Sequence, residues 1–524
     1  MRKLLQRCFG IALVALLTGC TETSPRAAAF DGGNPREPFD VVVYETTPAG
    51  VMAAVAAARR GMRVALLGSS SHIGGMVSSG LGNSDIGDPA TIGGLSREFF
   101  LQVGKEYGTE RPVYKFEPHV ARRVFEEMLR ENRVSVFLNH PIQEVTKSGS
   151  RIQSMRSSRG QQFPGKVFVD ASYEGDLMHV AGVSYAVGRE GSDEFGEKFA
   201  GFQRENSRHS FDISVPARDS SGRLLRGVSA ETPVAVGTGD SKVPAYNFRL
   251  CLTKDPGNMV PISAPEDYDP QNYELLALYL AMKPGIKLGS LMYFFKLPND
   301  KVDINNRGPI STNLIGGSWG YPEADSVARR KIWQAHRNYQ QGLLYFLGHD
   351  RRVSARLREH MLAWGFCKDE FVDSGHWPPQ LYVREARRMR GEYVLREADL
   401  TGPRAQPDSI GKGSMPIESH HVQRIADVDG SVLNEGSVVV RVRPYSIPYR
   451  SMLPKRNEAQ NLLNPVTLSA SHVAFSSVRM EPVYMILGHS AGTAAALAVS
   501  QGASPHDLQV STMQKALREE GQVL

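Results

Sequence analysis

The sequence predicts an α/β protein built on a dinucleotide-binding β-α-β unit, and three observations carry that prediction. In residues 39–75 an apolar, β-branched run (41–44) leads through a tight turn into an Ala-rich helix (51–60). Gly61 stops the helix, and a second apolar run follows (63–67). Near the far end, residues 482–499 form a second helix of mostly small side chains, including Gly488, Ala491, Gly492 and Ala494 to Ala496, which suits a close backbone neighbour. Between them, segments at 133–138, 141–146, 150–157 and 162–169 have strand patterning, the last two as a small β-meander.

The chemistry expected of the first unit is electrostatic. A pyrophosphate sits over a helix N-terminus, where unpaired N–H groups and the positive end of the helix dipole face it. The three glycine positions of G-x-G-x-x-G fall on Glu45, Thr47 and Gly50, and only the last is glycine. The acidic residue that ends the second strand of such units, and meets a ribose hydroxyl, falls on Gly68. A buried β-α-β unit without a nucleotide fits these residues equally well.

The start of the chain reads as an export signal. Arg2, Lys3 and Arg7 precede an apolar stretch, 9–17, too short to span a bilayer. Leu17-Thr18-Gly19-Cys20 resembles a bacterial lipobox, which makes 1–19 a signal and Cys20 the acylated first residue; a plain secretory signal is the alternative. Residues 20–38, rich in Ser, Pro, Ala and Gly, read as a flexible tether to a membrane. Arg2 is followed by lysine and not by a second arginine, so export of an unfolded chain is expected.

Formal charge is +6, and residues 1–19 hold three cations and no acid, so the remaining chain carries +3. That excludes nucleic-acid binding driven by charge. Of four cysteines, Cys8 leaves with the signal and Cys20 goes to lipid, leaving Cys251 and Cys367. An iron–sulfur cluster with four thiolates from one chain is excluded. The two survivors are one disulfide or two buried thiols.

The organisation expected is a first part of the nucleotide domain at 39–190, a substrate or cap region at 191–405 and a return to the nucleotide domain at 406–524. In the cap, 210–245 is irregular, while 273–282, 326–347 and 353–364 have helical spacing. Within 380–390, Arg384, Arg387 and Arg388 are spaced to share a helix face, solvated or anion-binding. A strand is expected at 461–468, then a small-residue turn at 469–472. Asp176 begins a short helix after the 162–169 strand, as an acidic first-turn residue or a cap.

In order along the chain, TPAGVMAAVAAARRG, HIGGMVSSGLGNSDIG, VDASYEGDLMHVAGV, QLYVREARRMRGEYV and LSASHVAFSSVRMEPVYMILGHSAGTAAAL resemble the bacterial FAD-dependent oxidoreductases of the xanthan-lyase-like group, relatives of the glutathione-reductase-type flavoproteins. The resemblance covers nearly everything after Asp40. It implies a Rossmann-like FAD-binding domain of glutathione-reductase type with an inserted mixed β/helical substrate domain. It also implies that Thr47, Pro48, Ala49 and Gly50 cradle the pyrophosphate, that Gly74, Gly75 and Met76 approach the flavin, and that Ala171 and Asp176 lie near the phosphates or ribityl chain. Ser469 to His472, Ser471 among them, and Gly488 to Gly492 would close over the ring. Glu45 and Gly68 depart from the family pattern. So does Glu418-Ser419-His420-His421, where Asp and Asn are usual.

The expected reaction is hydride transfer to FAD from a small hydroxylated or carboxylated substrate, possibly sugar-derived, with a side chain removing a proton. His472 is the first candidate base, followed by His421 and His420. Arg479 is a candidate orienting residue, in a pair with Glu481, and Tyr246, Arg249 and Arg450 are candidate substrate contacts. Outside the cytoplasm, the electron acceptor expected is a quinone, a soluble carrier or dioxygen. No metal is expected. A flavin monooxygenase or halogenase relative, and a non-catalytic surface protein that has lost FAD, are the other readings.

Overall fold

The computed structural model describes residues 37–204, 209–402 and 406–524; the N-terminal signal, tether and Cys20 lie outside the described residues. The first apolar run is strand β1 (Phe39–Tyr44), and it lies between two parallel neighbours. β2 (Val64–Leu67) sets Val41 opposite Val64, and β6 (Gln162–Asp170) sets Val41 opposite Val167. β3 (Ser135–Phe137) extends the sheet beyond β2, and Leu462–Leu463 returns from the C-terminal part to pair in parallel with β6. Burial on both faces explains why β1 and β2 lack polar alternation. β4 (Ile142–Ser148), β5 (Arg151–Ser157) and the first half of β6 form the antiparallel meander.

Helix α1 (Pro48–Arg59) starts three residues earlier than the Ala-rich pattern suggests. Thr47 accepts a hydrogen bond from Gly50 N, and Pro48 takes the first helical position, where its missing N–H costs nothing. The C-terminal helix, Glu481–Gln501, is long and apolar enough to cross a membrane but is buried against α1. Gly488 and Gly492, one turn apart, allow that contact: an added Cβ would fall 2.2 Å from Ala49 O and 2.1 Å from Ala53 O.

The cap carries a five-stranded antiparallel sheet, ordered Met292–Lys296, Lys301–Asn306, Leu250–Thr253, Gly365–Cys367, Met259–Pro261. Helix Ser326–His349 is tied to the segment just before the Leu250–Thr253 strand, where buried Gln340 donates to Phe248 O and accepts from Phe248 N, both at 2.8 Å.

Two expectations are corrected. Residues 461–468 supply only the two-residue strand Leu462–Leu463. Residues 380–390 are extended, not helical, and their arginines are buried on separate partners. The segment threads between the two sheets: Tyr382 N donates to Asn247 O in the cap, and Met389 N to Thr467 O. Tertiary partners override the helical spacing here.

Candidate functional site

At the C-terminal ends of β1 and β2 lies a cavity of about 800 Å³, running from Pro141 and Ile142 past the β1–α1 turn to Trp333 and Leu381. The turn keeps glycine geometry where the sequence has lost the glycine. Glu45 has φ +77°, and its carbonyl lies so close to Gly50 that an added Cβ would stand 1.9 Å from the oxygen. A left-handed conformation costs a non-glycine residue about 1–2 kcal/mol, so Glu45 is held there against its preference. Its carboxylate accepts from Ser69 N at 3.0 Å. The side chain thus delivers an acid to the end of β2, where Gly68 supplies none. Gly68 is itself enclosed: a Cβ would lie 3.0–3.2 Å from Thr46 and Leu138. Burial, opposed by the Ser69 bond and reinforced by Glu174, raises Glu45 to about 7.

Across the cavity, Arg329 and Arg387 both hold Asp176, at 2.7 and 2.9 Å. Burial disfavours the Asp176 charge, but the two guanidiniums overcome it and keep the carboxyl below its usual range. Tyr173 lines the wall, accepts from Met76 N at 3.0 Å and donates to Glu481 at 2.7 Å. Burial raises Glu481 to about 8, and its second oxygen has no partner.

The extended 380–390 segment runs from this cavity into a buried cluster of polar side chains in the cap. Leu381 and Arg387 line the cavity, whereas Arg384 stacks on Tyr382 and donates to Asn247 in the cluster. The Arg384 guanidinium lies 4.8 Å from the Tyr382 ring centroid, and Arg479 approaches the Tyr382 hydroxyl at 3.5 Å. Neither arginine forms an ion pair among the described residues. Arg384 donates to Ala245 O and Asn247 Oδ1, Arg479 to Glu418 O. Burial, together with Arg479 and Arg249, lowers Arg384 to about 9. Burial also keeps His420 and His421 uncharged; His421 falls to about 3. Arg384 Nε, Arg249 Nη1, Asn313 Oδ1 and His421 Nε2 are buried without hydrogen-bond partners. Native interiors hold few such atoms, and each calls for a partner the fold alone does not supply.

His472 opens the short helix His472–Val478 and is 3% exposed. Its Nδ1 lies 2.7 Å from Glu385, whose other oxygen accepts from Arg388 Nε at 2.8 Å; Arg388 in turn binds Glu190, which accepts from His472 N at 2.8 Å. The ring is thereby fixed by a closed network.

The family model described as FAD dependent oxidoreductase matches residues 40–517. The chain belongs to that family. Its cofactor is FAD. No curated protein matches the chain. Among solved structures, THI4 of Thermovibrio ammonificans is similar at 19% identity over 29% of this chain and 66% of its own, with a TM-score of 0.23. Thioredoxin reductase of T. acidophilum is similar at 17% identity over 25% of this chain and 34% of its own, TM-score 0.18. A flavin-dependent brominase, a triple mutant of Bmp2, is similar at 11% identity over 92% of this chain and 84% of its own, TM-score 0.33. None reaches 0.5, and the family match alone carries the assignment.

The site fits FAD on a local observation: the Glu45–Gly50 turn, so tight that Gly50 admits no Cβ, brings the start of α1 to the edge of the cavity that Thr46 and Thr47 line. Of the residues expected at the cofactor, Thr47, Gly75 and Asp176 line the cavity. Pro48, Ala49, Gly50 and Ala171 build the turn, and Thr47 donates to Ala171 O at 2.7 Å. Gly74 backs onto Phe125, and Met76 is buried behind Tyr173. Gly488 and Ser471 serve other contacts. Gly488 faces Ala49 in the helix contact, and Ser471 caps its helix while donating to Glu197.

Of the expected substrate and catalytic residues, Arg479 reaches Tyr382 in the buried cap cluster, Arg249 is paired with Asp303, and His421 is buried with its Nε2 unpartnered. The pair expected between Arg479 and Glu481 does not form; each has the partners given above. Tyr246 donates to Glu385 O and packs its ring against Tyr321 of the cavity wall. Arg450 is engaged elsewhere, over the Tyr393 ring and on Gln406. Sequence reading misses Tyr173, Arg329 and Tyr382 as site residues; Arg384 is among the arginines it offers as solvated or anion-binding. The arginine-rich 380–390 stretch is the available signal for Tyr382. Elsewhere, Glu117, His119 and Glu370 stand in a metal-like group, but the Lys301 ammonium lies 2.6 Å from Glu117 and 2.8 Å from Glu370 and takes the cation's place.

Proposed function

We propose that the chain oxidises a small organic substrate bearing a carboxylate, bound in the cap beside Arg384 and Arg479. The observation that carries this reading is the pair of buried guanidiniums at Tyr382, neither in an ion pair among the described residues, with Arg384 Nε also lacking a hydrogen-bond partner. A buried cation lacking a counter-charge is costly, and a carboxylate bound by arginine supplies both charge and directed hydrogen bonds. FAD, when bound, supplies the two-electron acceptor.

The chain's own residues divide the remaining work. The α1 N-terminus and Thr47 hold the pyrophosphate, and the Glu45 carboxylate receives the ribose hydroxyls in place of an acid at position 68. Arg384 and Arg479 anchor the substrate carboxylate and orient the carbon to be oxidised. His472 accepts the proton at Nε2 while Glu385 holds the Nδ1 side and stabilises the imidazolium. Replacing His472 by Asn lowers turnover on the order of 10²–10⁴-fold while FAD stays bound; unchanged turnover removes His472 as the base. The enzyme is read as exported and lipid-anchored through Cys20, passing electrons to a quinone, a soluble carrier or dioxygen.

The test is anaerobic bleaching of the visible flavin band by paired compounds: small hydroxy acids, sugar acids among them, and their methyl esters. Acids that bleach while their esters do not are the expected result. Equal bleaching by neutral polyols or esters overturns the carboxylate reading.

A further inference from the structure

Cys251 lies on the Leu250–Thr253 strand and Cys367 ends the neighbouring Gly365–Cys367 strand. Their antiparallel register sets Gly365 opposite Thr253 and Phe366 opposite Leu252. One step further, Cys367 comes level with Cys251, and the two sulfurs stand 3.1 Å apart. Both are buried, in a small apolar cluster with Leu297 and Phe371, and no other cysteine occurs among the described residues. Neither lines the cavity.

We propose that Cys251 and Cys367 form a disulfide, a covalent staple between adjacent strands of the cap sheet, made as the exported chain folds. The oxidant is a disulfide-bearing thiol oxidoreductase of the extracytoplasmic space. One cysteine thiolate attacks the carrier's disulfide and forms a mixed disulfide; the second cysteine then displaces the carrier. The Cys251–Cys367 bond forms, the carrier's S–S bond breaks, and the carrier leaves as a dithiol with two electrons and two protons. Burial raises the Cys251 thiol well above its ordinary range, so the exchange belongs to the folding chain before the sheet closes. The staple spans 116 residues of sequence. It ties the strand that follows Arg249 directly to the strand from which the chain leads on towards Tyr382 and Arg384. It therefore holds two segments that supply the buried arginines of the cap.

The inference rests on the export read from residues 1–20, and the experiment separates the two. The full chain is fractionated from cells, alkylated in denaturant without reductant and mapped by mass. A second sample is reduced, unfolded and refolded with FAD in a glutathione redox buffer. Expected is a linked Cys251–Cys367 peptide pair in both samples, and a melting midpoint several degrees above that of the reduced protein. The C251A/C367A variant should melt with the reduced protein and not respond to reductant. Two alkylated cysteines in the refolded, FAD-loaded chain overturn the disulfide, as do two alkylated cysteines in chain recovered from the extracytoplasmic fraction. A chain that stays cytoplasmic and reduced in cells, yet links on refolding, overturns the export reading and leaves the staple standing.

Discussion

Glu45 occupies a glycine's backbone conformation and returns an acid to the end of β2, so two departures from the nucleotide fingerprint become one compensated change. Its chemistry gives a signed prediction. The carboxyl is raised to about 7, and hydroxyl donors from a ribose favour its ionised form, so FAD affinity rises as pH increases through about 7 and levels off above it. In E45Q the rise disappears and FAD binds roughly tenfold more weakly at alkaline pH, the worth of a hydrogen bond to a charged group. Equilibrium dialysis with FAD and with its 2′-deoxyadenosine analogue measures both: the analogue costs affinity in the parent and not in E45Q. Affinity that falls with rising pH would place Glu45 against the pyrophosphate instead. None of this was legible in the sequence, where position 45 reads only as a lost glycine. Backbone strain and a side chain crossing to the next strand are tertiary facts.

At the scale of elements, the pairing of α1 with the Glu481–Gln501 helix holds the phosphate turn against the C-terminal half of the chain. Gly492 lies against Ala53 with no room for a methyl group. G492A is expected to destabilise the fold by about 2–3 kcal/mol through overpacking, seen as a lower denaturation midpoint at unchanged slope. An unchanged midpoint would mean that the helices part easily there. This contact was foreshadowed in the sequence, because small residues recur on both helices. The 380–390 segment shows the opposite case. Arg387 finds Glu323 and Asp176, and Arg388 finds Glu190, between 64 and 211 residues away. No local periodicity encodes such partners, so the arginines read as a helix face when they form a buried seam.

For the whole molecule, β1, α1, β2 and the meander were readable because each is a local apolar pattern, and the family motifs gave their order. The cap sheet was not, because its strands are short and come from residues as far apart as Leu250 and Cys367. What the assembled chain achieves is adjacency. The cavity at the strand ends and the buried arginine cluster of the cap are joined by the 380–390 segment, with Leu381 and Arg387 lining the cavity and Tyr382 and Arg384 in the cluster. On the proposed reading, a carboxylate bound at Arg384 and Arg479 is expected to perturb the flavin. The most direct measurement is a titration of the FAD-loaded protein with small carboxylates such as oxalate or benzoate, following the visible flavin spectrum. A saturable spectral shift is predicted in the parent, and its loss in R384M/R479M with FAD content unchanged. The same shift in the double variant, or no shift in the parent with any carboxylate, would contradict the account.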